Sequence, residues 1–288
     1  MSDFTDFTQK RRLPAWLKRR LGSGEVFQHT HQTLETYGLE TICTHANCPN
    51  RGDCWSRGTA TVLILGDICT RNCKFCSVGH GKPLPPDPTE PDRVAQMAKT
   101  MGLQYLVITS VDRDDLSDGG AGHFRDVINR CRQVVPELKF ELLVPDFRDC
   151  QDKAIGILAA ARPFVFGHNV ETVPALYEKA RPGGDYARSL GLLQKAKAAW
   201  PETQTKSSLM LGLGETDEQV LAVLKDLREV GCDRVAIGQY LRPSKTSLEV
   251  AAYITPDKFD WWAQQARRLG FSWVMSSPFM RSSYHAED

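Results

Sequence analysis

Six of the nine cysteines fall into two triplets, Cys43-x4-Cys48-x5-Cys54 and Cys69-x3-Cys73-x2-Cys76. The second lies in GDICTRNCKFCSVGHG, directly after Thr59-Ala-Thr-Val-Leu-Ile-Leu-Gly66, an apolar run that reads as a buried strand. An iron–sulfur cubane normally takes four cysteine thiolates. Three on one short loop therefore leave one iron open to another ligand, and that open position is where chemistry would occur. Two other readings fit less well. Zinc sites pair C-x2-4-C knuckles across a longer gap; Cys73-x2-Cys76 could be one half, but Cys69 and the missing second knuckle do not fit. A disulfide framework belongs to small secreted chains, whereas this chain has 288 residues. Its opening, MSDFTDFTQKRRLPAWLKRR, lacks a signal-peptide apolar core, and no run of about eighteen apolar residues offers a membrane span. Cysteines in a chain of this cytosolic character point to metal or catalysis, and a cytoplasmic location is expected.

The elements that must position these cysteines are legible as an alternation. Strand candidates are 60–66, 104–110, 138–144, 163–168, 204–211, 233–239 and 273–276. Between them lie amphipathic stretches of helical period at 90–101, 121–134, 151–161, 186–199, 216–230 and 256–269. Thr216 before Asp217-Glu218, and Thr255 before Pro256-Asp257, are helix-start signals. Such alternation implies parallel strands with right-handed crossovers, and six repeats suit an α/β fold of the incomplete (β/α)6, TIM-like barrel kind. The division expected is an N-terminal extension, 1–58, with the first cysteine triplet; a partial barrel, 59–276; and a C-terminal tail, 277–288. In barrels of this type chemistry sits at the C-terminal ends of the strands, where the Cys69–Cys76 loop emerges.

Other strand ends carry polar candidates. Thr109-Ser-Val-Asp-Arg-Asp-Asp-Leu-Ser-Asp-Gly-Gly120 follows the second strand, and His168-Asn169-Val-Glu171-Thr172 the fourth. Asn169 and Glu171, two apart on an extended segment, would face the same side and could bond a ribose or an amino group; ordinary turn or capping roles are the alternative. The formal charge of +1, from 36 cations and 35 anions, argues against a nucleic-acid binder. Locally, Lys10, Arg11, Arg12, Lys18, Arg19 and Arg20 flank Leu13-Pro14-Ala15-Trp16-Leu17, which reads as a solvated arm or as a docking segment for an acidic protein. Cys131, Cys150 and Cys232, in or beside helices, read as small buried hydrophobes.

The C-x3-C-x2-C spacing after a first strand, with Phe75 before the last cysteine, resembles the radical S-adenosylmethionine (SAM) superfamily. That resemblance implies that Cys69, Cys73 and Cys76 hold a [4Fe–4S] cluster whose fourth iron takes SAM, with Phe75, Thr109, Asn169, Glu171 and Arg188 among the SAM contacts. Cleavage of SAM then yields a 5′-deoxyadenosyl radical able to remove hydrogen from an unactivated carbon. Within the superfamily, the first triplet in TICTHANCPNRGDCWSRG and the tail Arg281-Ser-Ser-Tyr-His-Ala286 closely resemble the lipoyl synthases. So do TSVDRDDLSDGGA, FGHNVETV, RPGGDYARSL, KSSLMLGLGE and GQYLRPS. The likeness runs from Leu13 through nearly the whole chain.

What the resemblance implies is a second [4Fe–4S] cluster on Cys43, Cys48 and Cys54, with Ser283 as its fourth ligand. A serine oxygen is harder than thiolate and easier to displace, which suits a cluster whose sulfides are consumed. The implied reaction inserts two sulfur atoms at C6 and C8 of an octanoyl chain on a lysine of a carrier protein, either the lipoyl domain of a 2-oxoacid dehydrogenase or a glycine-cleavage H protein. An electron donor such as ferredoxin or flavodoxin is implied as well, with a monomeric enzyme expected. Ser247-Leu-Glu-Val250 departs from the family's HLPV and touches no cluster ligand. Two rivals are another sulfur-inserting radical enzyme, of the biotin synthase or tRNA methylthiotransferase kind, and a non-enzymatic iron–sulfur carrier or sensor.

Overall fold

Parallel strands can be joined only by long crossovers, and the amphipathic stretches supply them. The computed structural model describes residues 13–19 and 22–287. Its strands are β1 (Glu40–Thr41), β2 (Thr61–Ile64), β3 (Ile68–Cys69), β4 (Gly79–His80) and β5 (Tyr105–Ser110), then β6 (Lys139–Leu143), β7 (Val165–Gly167), β8 (Gln204–Leu211), β9 (Arg234–Gln239) and β10 (Trp273–Ser277). Eight form one sheet in the order β1-β2-β5-β6-β7-β8-β9-β10. All neighbours are parallel except β1, which pairs antiparallel with β2 through Glu40↔Leu63. The seven parallel strands are those expected from the sequence, and the order ends at β1 and β10 rather than returning on itself. This is a partial TIM-like barrel.

The six expected helices are present: Glu90–Thr100, Ala121–Val134, Gln151–Leu158, Tyr186–Ala199, Asp217–Glu229 and Pro256–Arg268. Each lays an apolar stripe on the sheet at spacings of three and four; in Asp217–Glu229 it is Val220, Val223, Leu224 and Leu227. Thr216 and Gln219 form the reciprocal N-terminal cap. Thr61–Ile64 is buried throughout, as befits a strand covered on both faces. Cys131 and Cys232 are fully buried, while Cys150 is only half-buried.

Both flanking segments pack onto the barrel. The helix Glu25–Thr36 and the short helices Ile42–His45 and Arg51–Ser56 precede β2, and Trp55, 4% exposed, joins them to the main core. The tail leaves β10, accepts a hydrogen bond at Pro278 O from Gln239 N–H at 3.2 Å, and crosses β9 at Gly238. A Cβ there would overlap Met280 O, so only glycine lets the tail through. Gly238→Ala should cost ~1–3 kcal/mol of stability through overpacking, read as a lower midpoint of thermal unfolding; an unchanged midpoint would mean the tail has room to move aside.

Candidate functional site

Because the strands are parallel, their C-terminal ends share one rim, where a cavity of about 410 Å³ opens. Cys69, Cys73 and Cys76 form one side of it. Their loop is braced by the parallel pair β3–β4, which nothing in the local sequence pattern announces. Arg71, between Cys69 and Cys73, turns inward with its side chain 3% exposed. Its Nε and Nη2 donate to Asp114 at 2.8 and 2.6 Å, and Nη2 also donates to Asp146 Oδ1 at 2.6 Å. A third carboxylate, Asp112 Oδ1, lies 3.4 Å from Nη1. Thr70 closes the clasp, its N–H and hydroxyl both donating to Asp112 O at 3.1 and 3.0 Å. The loop is thereby pinned to the segment after β5. These carboxylates hold the guanidinium firmly protonated despite its burial, and Arg71 in turn keeps Asp146 well below the usual carboxylate range against the effect of burial.

The thiols are set for ligation rather than for free nucleophilic work. Burial pushes Cys69 up to about 11, with Asp112 adding to the shift. It pushes Cys73 up to about 12 and raises Cys76 as well. A thiol so disfavoured as a free thiolate ionises when a cation binds it. Backbone N–H groups of Arg71 and Val78 already point at Cys69 Sγ and Cys76 Sγ, each at 3.4 Å, as sulfurs in iron–sulfur sites commonly receive.

The first triplet reaches the same cavity through Cys48. Thr41 caps the helix bearing Cys43, Cys48 N–H donates to Cys43 O at 3.1 Å, and Cys54 sits in Arg51–Ser56. Burial lifts Cys43 to about 11 and Cys54 to about 12, and repulsion among the three thiols adds to both. Cys48 lines the cavity with Ser283, while Cys43 is buried behind it. Arg281 is close enough to feel both Cys48 and Glu171. Among the described residues no three Cys, His, Asp or Glu side chains converge as on a single bare ion. A cubane spreads its ligands over separate irons, so its thiolates need not meet at one point.

Of the other expected contacts, Phe75, Thr109, Asn169 and Glu171 all line the cavity. Asn169 and Glu171 meet, with Asn169 Nδ2 donating to Glu171 Oε1 at 3.1 Å, but not by the extended segment expected. Glu171 has φ +69°, a left-handed conformation unusual for a residue with a Cβ. It is held there by its N–H to Ser208 O and its O from Met210 N–H, at 3.0 and 2.8 Å. Asn169 Oδ1 is buried without a hydrogen-bond partner in the chain, an acceptor suited to a ligand hydroxyl or ammonium. Arg188 is elsewhere. Its Nε donates to Asp146 Oδ2 at 2.7 Å and Nη2 to Gly183 O at 2.9 Å.

The cavity's cation on that side is Arg181, which sequence reasoning missed. It is 6% exposed, and its Nη1 donates to Asn169 O at 3.0 Å and reaches His168 Nε2 at 3.5 Å. His168 donates Nδ1–H to Val144 O at 2.8 Å, leaving Nε2 as acceptor. Burial and Arg181 push this imidazole down to about 3, so it stays neutral and serves Arg181 as a fixed prop. Ser247–Val250, the departure from the family's pattern, line a separate outer groove with Lys74 and Lys179. In the N-terminal segment, Lys10, Arg11, Arg12 and Arg20 lie outside the described residues. Leu17 is 3% exposed, and Arg19, though exposed, also contacts the tail, as described below.

A parallel partial barrel with a C-x3-C-x2-C loop at its rim, beside a cavity of paired polar side chains, is the arrangement of radical SAM proteins. Residues 63–227 match the model of the radical SAM superfamily. The fold resembles that of Streptococcus suis SuiB bound to its precursor peptide SuiA, with TM-score 0.59 and 13% identity over 87% of this chain and 52% of that one. The lipoyl synthase of Thioalkalivibrio sulfidiphilus is 52% identical, over 96% of this chain and 86% of that protein. That of Methylococcus capsulatus is 51% identical over the same shares. The chain belongs to the lipoyl synthases, radical SAM enzymes that insert sulfur. Iron–sulfur clusters, SAM and a protein-bound octanoyl substrate come with that membership.

Proposed function

We propose that the enzyme places two sulfur atoms, at C6 and C8, into an octanoyl group on a carrier-protein lysine, using two [4Fe–4S] clusters held by this one cavity. The observation that carries this reading is that Cys69, Cys73 and Cys76, together with Cys48 and Ser283, line the same cavity. Cys69, Cys73 and Cys76 would hold one cluster, and Cys43, Cys48, Cys54 and Ser283 the other. Bound together with SAM, the first supplies the radical that opens a C–H bond and the second supplies sulfur.

The chain's own residues do the rest. Asn169 Oδ1 and Glu171 present acceptors to the SAM ribose or amino group, and Thr109 and Phe75 shape the wall beside them. Burial holds Glu171 above the usual carboxylate range, countered by Arg181 and by Asn169, so a bound ammonium would favour its ionised form. Arg181, fixed by His168 and Asn169, is placed to take the SAM carboxylate, whereas Arg188, expected among the SAM contacts, is engaged by Asp146. Arg181→Met should weaken SAM binding roughly ten- to a hundredfold, the worth of a hydrogen bond to a charged group. Equilibrium dialysis without reductant checks this, and an unchanged affinity would remove Arg181 from the site. Arg71 and its three aspartates keep the cluster loop in register.

The carrier would be a lipoyl domain or an H protein, the reductant a ferredoxin or flavodoxin, and the enzyme a cytoplasmic monomer. Among the described residues no helix is long and apolar enough to cross a membrane. The deciding experiment is anaerobic. The chain is reconstituted with iron and sulfide, then given reductant, SAM and an octanoyl-lysine peptide. A peptide that gains two sulfurs, from protein carrying two clusters, is the expected result. Cleavage of SAM with no sulfur transferred would overturn the substrate assignment.

A further inference from the structure

The tail bearing Ser283 is tied to the segment bearing Cys48 and Cys54 by contacts that flank the ligands themselves. Tyr284, next to Ser283, donates its hydroxyl to Asp53 Oδ2 at 2.8 Å, and Asp53 is next to Cys54. Arg19 Nη1 donates to the same tyrosine hydroxyl at 3.0 Å. Its guanidinium lies 4.4 Å from the Phe279 ring centre and 5.1 Å from that of Tyr284. Between Cys48 and Cys54, Asn50 Nδ2 donates to Phe279 O at 2.7 Å. Beyond Ser283, Arg57 pairs with His285 at 2.8 Å and with Glu287. On the cavity side Ser282 Oγ accepts from Asn169 Nδ2 at 3.3 Å.

We propose that Tyr284, Asp53 and Arg19 are positioning residues that hold Ser283 against the first-triplet cluster and thereby set how readily this weak ligand departs. The inference rests on the assignment of Ser283 as the fourth ligand. A serine oxygen on iron is a poor partner beside thiolate, so its residence depends on the chain that presents it. The tyrosine is only 8% exposed, and its hydrogen bond to a carboxylate is of the stronger, charge-assisted class. That one bond joins the backbone of Cys54 to the backbone of Ser283 through adjacent residues. Losing it loosens the serine's hold without touching a ligand, while Asn50–Phe279 and Arg57–Glu287 still keep the tail in place.

The test uses the full chain with Cys69, Cys73 and Cys76 all changed to alanine, so that only the first-triplet cluster loads. Iron release into a ferrous chelator is followed without SAM or substrate. Iron content and thermal unfolding are measured first. Adding Tyr284→Phe should speed release roughly tenfold or more, as should Arg19→Gln to a smaller degree. Combining Tyr284→Phe with Ser283→Ala should release no faster than Ser283→Ala alone, because a residue acting only through the serine has nothing left to act on. Equal rates in Tyr284→Phe and its parent would overturn the proposal. So would an additive acceleration in the combined variant, which would mark the tyrosine as a general support of the segment. If Ser283→Ala itself leaves release unchanged, the ligand assignment falls, and the positioning role falls with it.

Discussion

A Cys73→Ala chain should form no 5′-deoxyadenosine and no sulfur-inserted product. The fall should be at least roughly a thousandfold in each, some 4 kcal/mol of lost barrier lowering. The loop supplies three thiolates and no spare. The charged side chains that act on Cys73 outside the triplet are Arg181, a cation, and Asp112, whose Oδ2 is already engaged by Cys69 Sγ at 3.8 Å. Asp112 already faces Arg71, and moving it would dismantle the clasp that holds the loop. Chromatographic assay of SAM cleavage products settles the outcome. Persistence of 5′-deoxyadenosine in protein of verified iron content would sink the assignment of the second triplet as the radical-generating site.

Cys48→Ala should separate the two halves of the reaction. SAM cleavage should persist within about threefold, since the three thiols of the second triplet are left untouched, whereas sulfur insertion should drop to background. Cys48 is the thiol of the first triplet that reaches the cavity, with Ser283 beside it. The second triplet keeps its own partners, Cys69 Sγ with Arg71 N–H and Asp112, and Cys76 Sγ with Val78 N–H. Mass spectrometry of the octanoyl peptide gives one readout and 5′-deoxyadenosine the other. Sulfur-bearing product from this variant would show that the first triplet is not the donor site. Loss of both activities would mean the two cysteine segments are mechanically coupled, for which Ser77 Oγ donating to His45 O at 2.6 Å and Asn169–Ser282 are visible bridges.

The barrel was legible because period-2 and period-3.6 patterns are set by burial on each element separately. Strand and helix spans agree with expectation to within a few residues, down to the Thr216 cap. The elements that escaped are those whose shape depends on distant contacts. β1 is two residues long and exists only through β2, and β3–β4 exists only because the cysteine loop folds back on itself. The arginines make the same point at the site. Arg181 and Arg188 both sit in RPGGDYAR, and composition cannot rank them. The turn through Gly183, at φ +80°, and the Asp185 cap, whose Oδ1 takes Arg188 N–H at 2.6 Å, start a helix that aims Arg188 at Asp146. Arg181 is left facing the cavity. Spacing located the cysteines; only the packed structure brings Cys48 to the cavity that the second triplet lines.

Ser283 and Cys54 are far apart in the chain, and the bonds joining their neighbours close loops of 231 residues for Tyr284–Asp53 and 265 for Arg19–Tyr284. Closures of that span carry the largest entropy cost the chain meets, and they gain little until the barrel between them has condensed. The wall between β10 and the N-terminal helices is therefore late in folding order and, by the same ledger, among the first places to open. Opening there would loosen the segment of the first cysteine triplet and leave the β3–β4 brace of the second in place. The two cysteine sites thus differ in how they are held, one by a seam between the chain's two ends and the other by the barrel's own loops.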